Sequence, residues 1–470
     1  MQSELAGLLQ DAASLDRFVR FLKEFCEERR ASHHYLPSSV SFFHYVHQLA
    51  EKTEAFLQDL IGQGEAADRS LRVERLKLAV VKAFWTILHG LIKPAADAHT
   101  LKIPAPLLGL LEQQLHALGT FSKSQVVTLL SPDLNYFQYR TGPLRGLAAQ
   151  LTLFVPDAPP FPEGLGFIAI PYSQESCLFT NLLLYHELGH FVFETEDDAA
   201  RLLPQVDSAL TAVLAAQFAS ASEALRWWCR DRLLAWCEET YADLFAASLI
   251  GPAYSFASIE LFNLLALLEE PHSLKFGNDH PAEAYRFHEQ LNYLTTSGWW
   301  AALGEVRTEH QELIEKLAAK KEEEYEYRIP DYPQLGDLLI EAFLLMRAAV
   351  RDLAAETCGG GAADTGPFIA FNKTIWKYLV NATVPSTLNL EGKTFYPPDV
   401  ATINSGFLFS LASLGALLEK IKGYESNKPQ VSDYGRVAGR IELWTMKAIE
   451  DHALLSKQQK SEINGCFIEK

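Results

Sequence analysis

Cysteine is scarce in this chain and never closely paired. The six, Cys26, Cys177, Cys229, Cys237, Cys358 and Cys466, are scattered through 470 residues without a C-x-x-C pair. That spacing argues against a disulfide framework or a cysteine zinc site, and a reducing cytoplasm fits it best. Basic residues are in the minority. There are 41 Lys and Arg against 59 Asp and Glu, for a net charge of −18. A global basic footprint is absent, so no nucleic-acid partner is expected. The N-terminal stretch MQSELAGLLQDAASLDRF has no basic segment followed by an apolar one, so no signal peptide is expected. The most continuous apolar run, Gly406 to Leu418, is too short to cross a bilayer and contains serines, so no membrane insertion is expected. The glycine loop CGGGAADTGP, 358–367, lacks the G-K-[ST] ending of a phosphate-binding loop.

What is present is mostly helical pattern. Residues 1–130 read as helices, with apolar positions recurring at three- and four-residue steps in LDRFVRFLKEF and LRVERLKLAVVKAFWTILHGLI. Two short segments bounded by Pro and Gly, LAAQLTLFVPD (147–157) and GFIAIPYS (166–173), read as strands paired through APPFPEGL. The second is expected to form an exposed edge, to which an extended peptide could add. A buried helix is expected from about Ser176 to Phe193, because its apolar residues cover most of its circumference. Residues 200–270 and those after NDHP return to helix, and KLAAKKEEEYEYRIP reads as a solvated helix end or connector. Three segments follow: a helical region 1–130, a core 131–300 and a C-terminal helical region 301–470. The expected class is α+β, predominantly helical, with a small sheet beside the central helix.

That central helix carries LLLYHELGHFVFE. His186 and His190 are four apart, so they lie on one helical face and can converge on one metal ion. Glu187 stands beside the first and can take a proton from a water activated by that metal. The plain alternative is a buried helix with two incidental histidines. Polar groups inside an apolar helix need a partner, and a metal supplies one. A third ligand is sought in CEETYADLFAASLIGP, where Glu239 and Asp243 share a face. Glu239 is the expected ligand and Glu238 its neighbouring alternative. Asp243 is placed to accept a hydrogen bond from a ligand histidine's second nitrogen. In NDHPAEAYRFHEQL, Asn278 or Asp279 suits an N-cap and Pro281 the first helical turn. His280 could donate to an oxyanion, and Arg286 could fix His280 or an acidic neighbour. His33, His34, His44 and His47 are expected to pack or cap.

The three pieces H186-E-L-G-H190, E239-T-Y-A-D243 and H280-P-x-x-x-x-R286 resemble, in order and internal spacing, the gluzincin metallopeptidases. The likeness is greatest to the CAAX prenyl protease and HtpX-like family. ETYADLFAASLIGP is also similar to a segment of the anti-repressor peptidases. The resemblance covers about residues 150–290. It implies a zincin-like core with one zinc held by His186, His190 and Glu239, Glu187 as base, and His280 and Arg286 as helpers. The expected activity is zinc-dependent hydrolysis of a peptide bond in a peptide or protein substrate. The helical flanks suit a protein partner. They also motivate the alternative of a latent or regulatory protein that keeps a structural zinc site. A retired site would lose Glu187 before its ligands, and Glu187 is present.

Overall fold

A computed structural model describes residues 2–62, 71–99, 103–119, 121–133, 135–175, 177–217, 222–268, 280–281, 283–306, 311–312, 315, 333–359, 364–381, 383–390, 393–395, 397–422 and 431–468. The connector 316–330 and the N-cap candidates Asn278 and Asp279 fall outside these residues, as do 360–363 of the glycine loop. The chain is α+β and mostly helical, with one three-stranded mixed sheet and one two-stranded sheet. It divides into two compact units: 1–105 with 115–176, and 106–114 with 177–470. The division at 130 and 300 follows composition, whereas the two units follow packing.

The first unit holds α1 (Gln2–Arg30), α2 (Pro37–Gly62), α3 (Leu71–Asp97), β1 (Gln125–Ser131), β2 (Phe137–Tyr139), α5 (Gly142–Phe154) and β3 (Leu165–Pro171). The helix α4 (Ala105–Ala117) is divided between the units. Phe42 of α2, Trp85 of α3 and Phe167 of β3 belong to one buried cluster. Phe42 and Phe167 meet edge to face at 5.1 Å. The buried Trp85 indole donates to Thr53 at 3.2 Å, which satisfies the one polar atom the ring brings inside.

Several expectations are corrected here. LAAQLTLFVPD is not a strand: α5 runs through Phe154, and Leu144, Ala148 and Leu151 are buried at helical spacing. The stretch is rich in Ala, Leu and Gln, and only Thr152 within the helical part is β-branched, so helix propensity prevails. A strand missed within 1–130 takes its place. QVVTLLS forms β1, a short run with Val126, Val127, Leu129 and Leu130 that period alone does not distinguish from buried helix. GFIAIPYS is not an edge: β3 is the central strand, parallel to β1 and antiparallel to β2. Its burial on both faces explains its unbroken apolar sequence. Among the described residues, α3 is one helix long and apolar enough to cross a bilayer by length and composition, although charged residues interrupt its apolar sequence. Its Leu78, Phe84, Trp85 and Leu88 are core residues of the first unit, which accounts for that apolarity.

The second unit is built around α6 (Leu184–Thr195) and α8 (Glu223–Ile250). A 3-10 turn, Thr180–Leu183, leads into α6, so the regular helix begins later than the expected Ser176. Around this pair stand α7 (Asp198–Gln217), α9 (Pro252–Leu268), α10 (Glu283–Thr296), α11 (Trp299–Val306) and α12 (Pro333–Thr357). Then follow α13 (Gly366–Val380), β4 (Leu388–Leu390), β5 (Lys393–Phe395), α14 (Asp399–Lys422) and α15 (Val431–Ile468).

Two glycines set the geometry that matters. Gly189 lets α6 lie against α8 so closely that a Cβ there would stand 2.7 Å from Ala242 Cα. Gly251 ends α8 with φ +74°, and the Trp299 ring lies where its Cβ would be. Asn404 of α14 fastens that corner. Its Nδ2 donates to Ile250 O at 2.7 Å, and its Oδ1 accepts from Ala253 N at 2.8 Å. The last carbonyls of α8 and first amides of α9 would otherwise lack partners inside the unit.

Candidate metal centre

The contact of Gly189 with Ala242 puts His186 and His190 opposite Glu239 and Asp243. His186, His190 and Glu239 form a group able to hold a metal ion, with their ligand atoms all within 4.8 Å of one another. His186 Nε2 is 3.3 Å from Glu239 Oε2, and His190 Nε2 is 3.4 Å from Glu239 Oε1. The two Nε2 atoms are 3.1 Å apart.

The far side of each ring explains how the near side points. His186 Nδ1 lies 3.0 Å from Asp243 Oδ1, and His190 Nδ1 lies 3.0 Å from Glu238 Oε1. A carboxylate accepts, so each Nδ1 carries the hydrogen. The Nε2 atoms are left facing each other, able to share one proton or to hold a cation. Glu238 is therefore not an alternative ligand but the outer partner of His190. Asp243 serves His186 in the same way, as its spacing from Glu239 suggests.

Arg286 enters from α10 and is buried. It clamps Asp243 with Nε on Oδ2 at 2.6 Å and Nη2 on Oδ1 at 2.8 Å. Its Nη1 also reaches Glu239 Oε2 at 3.4 Å. His280 is half exposed and places Nδ1 3.0 Å from Glu239 Oε1. Arg286 therefore fixes an acidic neighbour, Asp243, and His280 stands against Glu239. Tyr254, from α9, was not legible as a site residue. Its hydroxyl donates to Asp243 Oδ1 at 2.5 Å and lies 3.3 Å from His186 Nδ1. Away from the site, His44 and His47 reach Arg30 and Glu27 of α1, at 3.1 and 2.9 Å.

Carboxylates, imidazoles and one guanidinium meet in this buried cluster: Glu187, Glu238, Glu239 and Asp243 lie around Arg286, His186 and His190. Buried charges are costly unless they are paired. Burial works against Glu239's charge, yet His190, His280 and Arg286 hold its carboxyl well below the usual range. Burial likewise opposes Asp243's charge, and Arg286 and His186 pull its carboxyl down. Burial lowers both histidines, but Asp243 and Glu239 outweigh it at His186, and Glu239 and Glu238 at His190. Glu239 Oε2 is buried and makes no hydrogen bond: His186 and Arg286 lie within ion-pair range only. Glu187 moves the other way. Burial pushes its carboxyl up, and the opposing pull of His186 and His190 is smaller. No family model, curated protein or solved structure matches this chain, so the site stands on its own geometry.

Proposed function

We propose that the chain is a zinc-dependent metallopeptidase that hydrolyses peptide bonds in a peptide or protein substrate. The observation that carries the proposal is the pair of Nε2 atoms turned toward each other and toward Glu239. Their Nδ1 atoms are tied to separate carboxylates, and the raised carboxyl of Glu187 stands beside them. Nitrogen and carboxylate donors of this kind suit zinc. His186, His190 and Glu239 would hold the ion. When bound, zinc supplies Lewis acidity toward a carbonyl and lowers the pKa of water.

The protein's own groups would do the rest. Glu187, its pKa raised by burial, is poised to accept a proton from the attacking water and pass it to the leaving amine. Asp243 and Glu238 fix the ring orientation and tautomer of the two histidines. Arg286 compensates the charge of Asp243 and so keeps that carboxylate ionised. His280, half exposed beside Glu239, is suited to donate toward the developing oxyanion. The presence of Glu187 favours an enzyme over a retired scaffold with structural zinc. A cytoplasmic location and the absence of a nucleic-acid partner belong to the same reading.

The test joins metal analysis of the purified protein to a peptide-library digest with and without a chelator. One zinc per chain and chelator-sensitive cleavage are expected. A full complement of zinc in the His186→Ala/His190→Ala double variant would sink the proposed ligand set.

A further inference from the structure

We infer that Tyr254 is a positioning residue for His186, holding the imidazole so that Nε2 faces Glu239 and His190. The inference rests on the metal-binding part of the reading above and assigns a role to a residue that none of the three motifs contains.

Tyr254 is buried, and its contacts tie it to His186 and to that ring's partner Asp243. The hydroxyl donates to Asp243 Oδ1 at 2.5 Å. An ionised carboxylate has no hydrogen to offer, so the direction of that bond is fixed. The tyrosine oxygen keeps its lone pairs, and His186 Nδ1 lies 3.3 Å from it and 3.0 Å from Asp243 Oδ1. The Nδ1 hydrogen is thus shared between two acceptors that are themselves bonded. The Tyr254 ring also runs nearly parallel to the His186 ring, 7° apart with centroids at 6.5 Å. Asp243 alone could fix the tautomer. The second acceptor also limits rotation about the bond that carries the imidazole.

The backbone, and not only a rotamer, brings Tyr254 there. It is three residues past Gly251, whose positive φ turns the chain from α8 into α9. Asn404 bridges the two helix ends across that turn through Ile250 O and Ala253 N. Tyr254 follows Ala253 directly. A helix end pinned on both strands of the turn gives the hydroxyl a fixed approach to His186. Such outer partners of a metal-binding histidine set its orientation and basicity.

The test is a Co2+ titration of the full chain, following affinity by chelator competition and the visible ligand-field spectrum. Tyr254→Phe keeps the ring and removes only the hydroxyl. It is expected to weaken Co2+ binding about tenfold to a hundredfold and to shift the ligand-field bands. Tyr241→Phe is the control. Tyr241 is equally buried on α8, but its hydroxyl bonds Thr357 at 3.1 Å, away from the ligands. Its Co2+ affinity and spectrum should match the wild type. A Tyr254→Phe protein that binds as the wild type does, with an unchanged spectrum, overturns the role of Tyr254 and leaves the metal site standing. A wild type that takes up no Co2+ overturns both. The hydroxyl is assigned a metal-directed role and not a folding one, so a Tyr254→Phe chain that fails to fold also counts against it.

Discussion

Gly189→Ala is the most direct probe of how the fold makes the site. Gly189 lies between the two histidines on α6 and faces Ala242, which lies between Glu239 and Asp243 on α8. An added Cβ would stand 2.7 Å from Ala242 Cα and 3.0 Å from its Cβ. Ordinary carbon contacts are about 3.5–4.0 Å, so the helices must part by roughly 1 Å. The obstacle is backbone, and nothing local can swing aside. Overpacking costs about 1–3 kcal/mol, and this clash belongs near the upper end. Alanine recovers about 0.5–1 kcal/mol through helix propensity. Strain wins, leaving a loss of about 2 kcal/mol, or a Tm lower by about 3 °C for a unit of roughly 300 residues. The effect on the metal should be larger in proportion. Metal–ligand distances tolerate only about 0.2 Å, and both histidines sit on the helix that is displaced. Chelator competition should show binding weakened by at least about tenfold. Thermal melting with and without metal, beside chelator competition, measures both effects. Gly90→Ala is the control, because a Cβ on this α3 glycine meets nothing within 4 Å. Its Tm should hold or rise slightly. Should Gly189→Ala melt with the wild type and bind metal as tightly, the close helix contact is not what assembles the ligands.

Three further outcomes are expected. Glu187→Gln should keep metal and fold but lose about 10²–10⁴ in kcat, and near wild-type turnover on any identified substrate would remove it as the base. His280→Ala should keep metal and lose about 10²–10³ in kcat, whereas an unchanged kcat with a lower Tm would reduce His280 to a helix-start residue. Stripped and metal-loaded protein should respond oppositely to pH. The pKa of His190 is raised, chiefly by Glu239 against the cost of burial, so its charge stabilises the stripped fold fully below the ordinary 6.5. That stabilisation is lost as pH rises through the raised value. Ligation needs the neutral ring, so the rise in Tm on adding metal should grow over the same window. A gain in Tm that shrinks with rising pH would contradict the assignment.

Helical content was readable because its signal is local. Apolar residues at three- and four-residue steps report a face, which marks α1 and α3, and apolar residues around most of the circumference mark α6. The sheet was harder because short apolar runs are ambiguous by period. QVVTLLS became a strand although it lies among helices, and LAAQLTLF became a helix although it precedes a real strand. Tertiary pairing decided both cases. β1 and β3 are neighbours in the sheet but about forty residues apart in sequence, joined by a crossover that includes α5. The central position of β3 was visible only as unbroken apolarity, and that pattern fits an edge or a buried strand until its neighbours are known.

The site divides along the same line. His186 with His190, and Glu239 with Asp243, are each one helical turn apart, so their shared faces follow from helix geometry without any knowledge of the fold. Asp243's partnership with a histidine, and Arg286's with an acid, needed only the further step that the helices meet. Glu238 shows where that step fell short. Its place beside Glu239 makes it the neighbouring alternative in the sequence, yet a neighbour in sequence points about 100° away around the helix. It therefore meets the outer nitrogen of His190 while Glu239 meets the inner one. Tyr254 and Asn404 lie beyond any such rule. Tyrosine in an apolar helix reads as core, and an asparagine in α14, far along the chain, carries no periodic mark. Their placement depends on the turn at Gly251 and on the amide that spans it. The ligands can be recognised from one helix turn at a time. The residues that hold those ligands still become recognisable only when a helix end, its cap and a distant side chain are brought together.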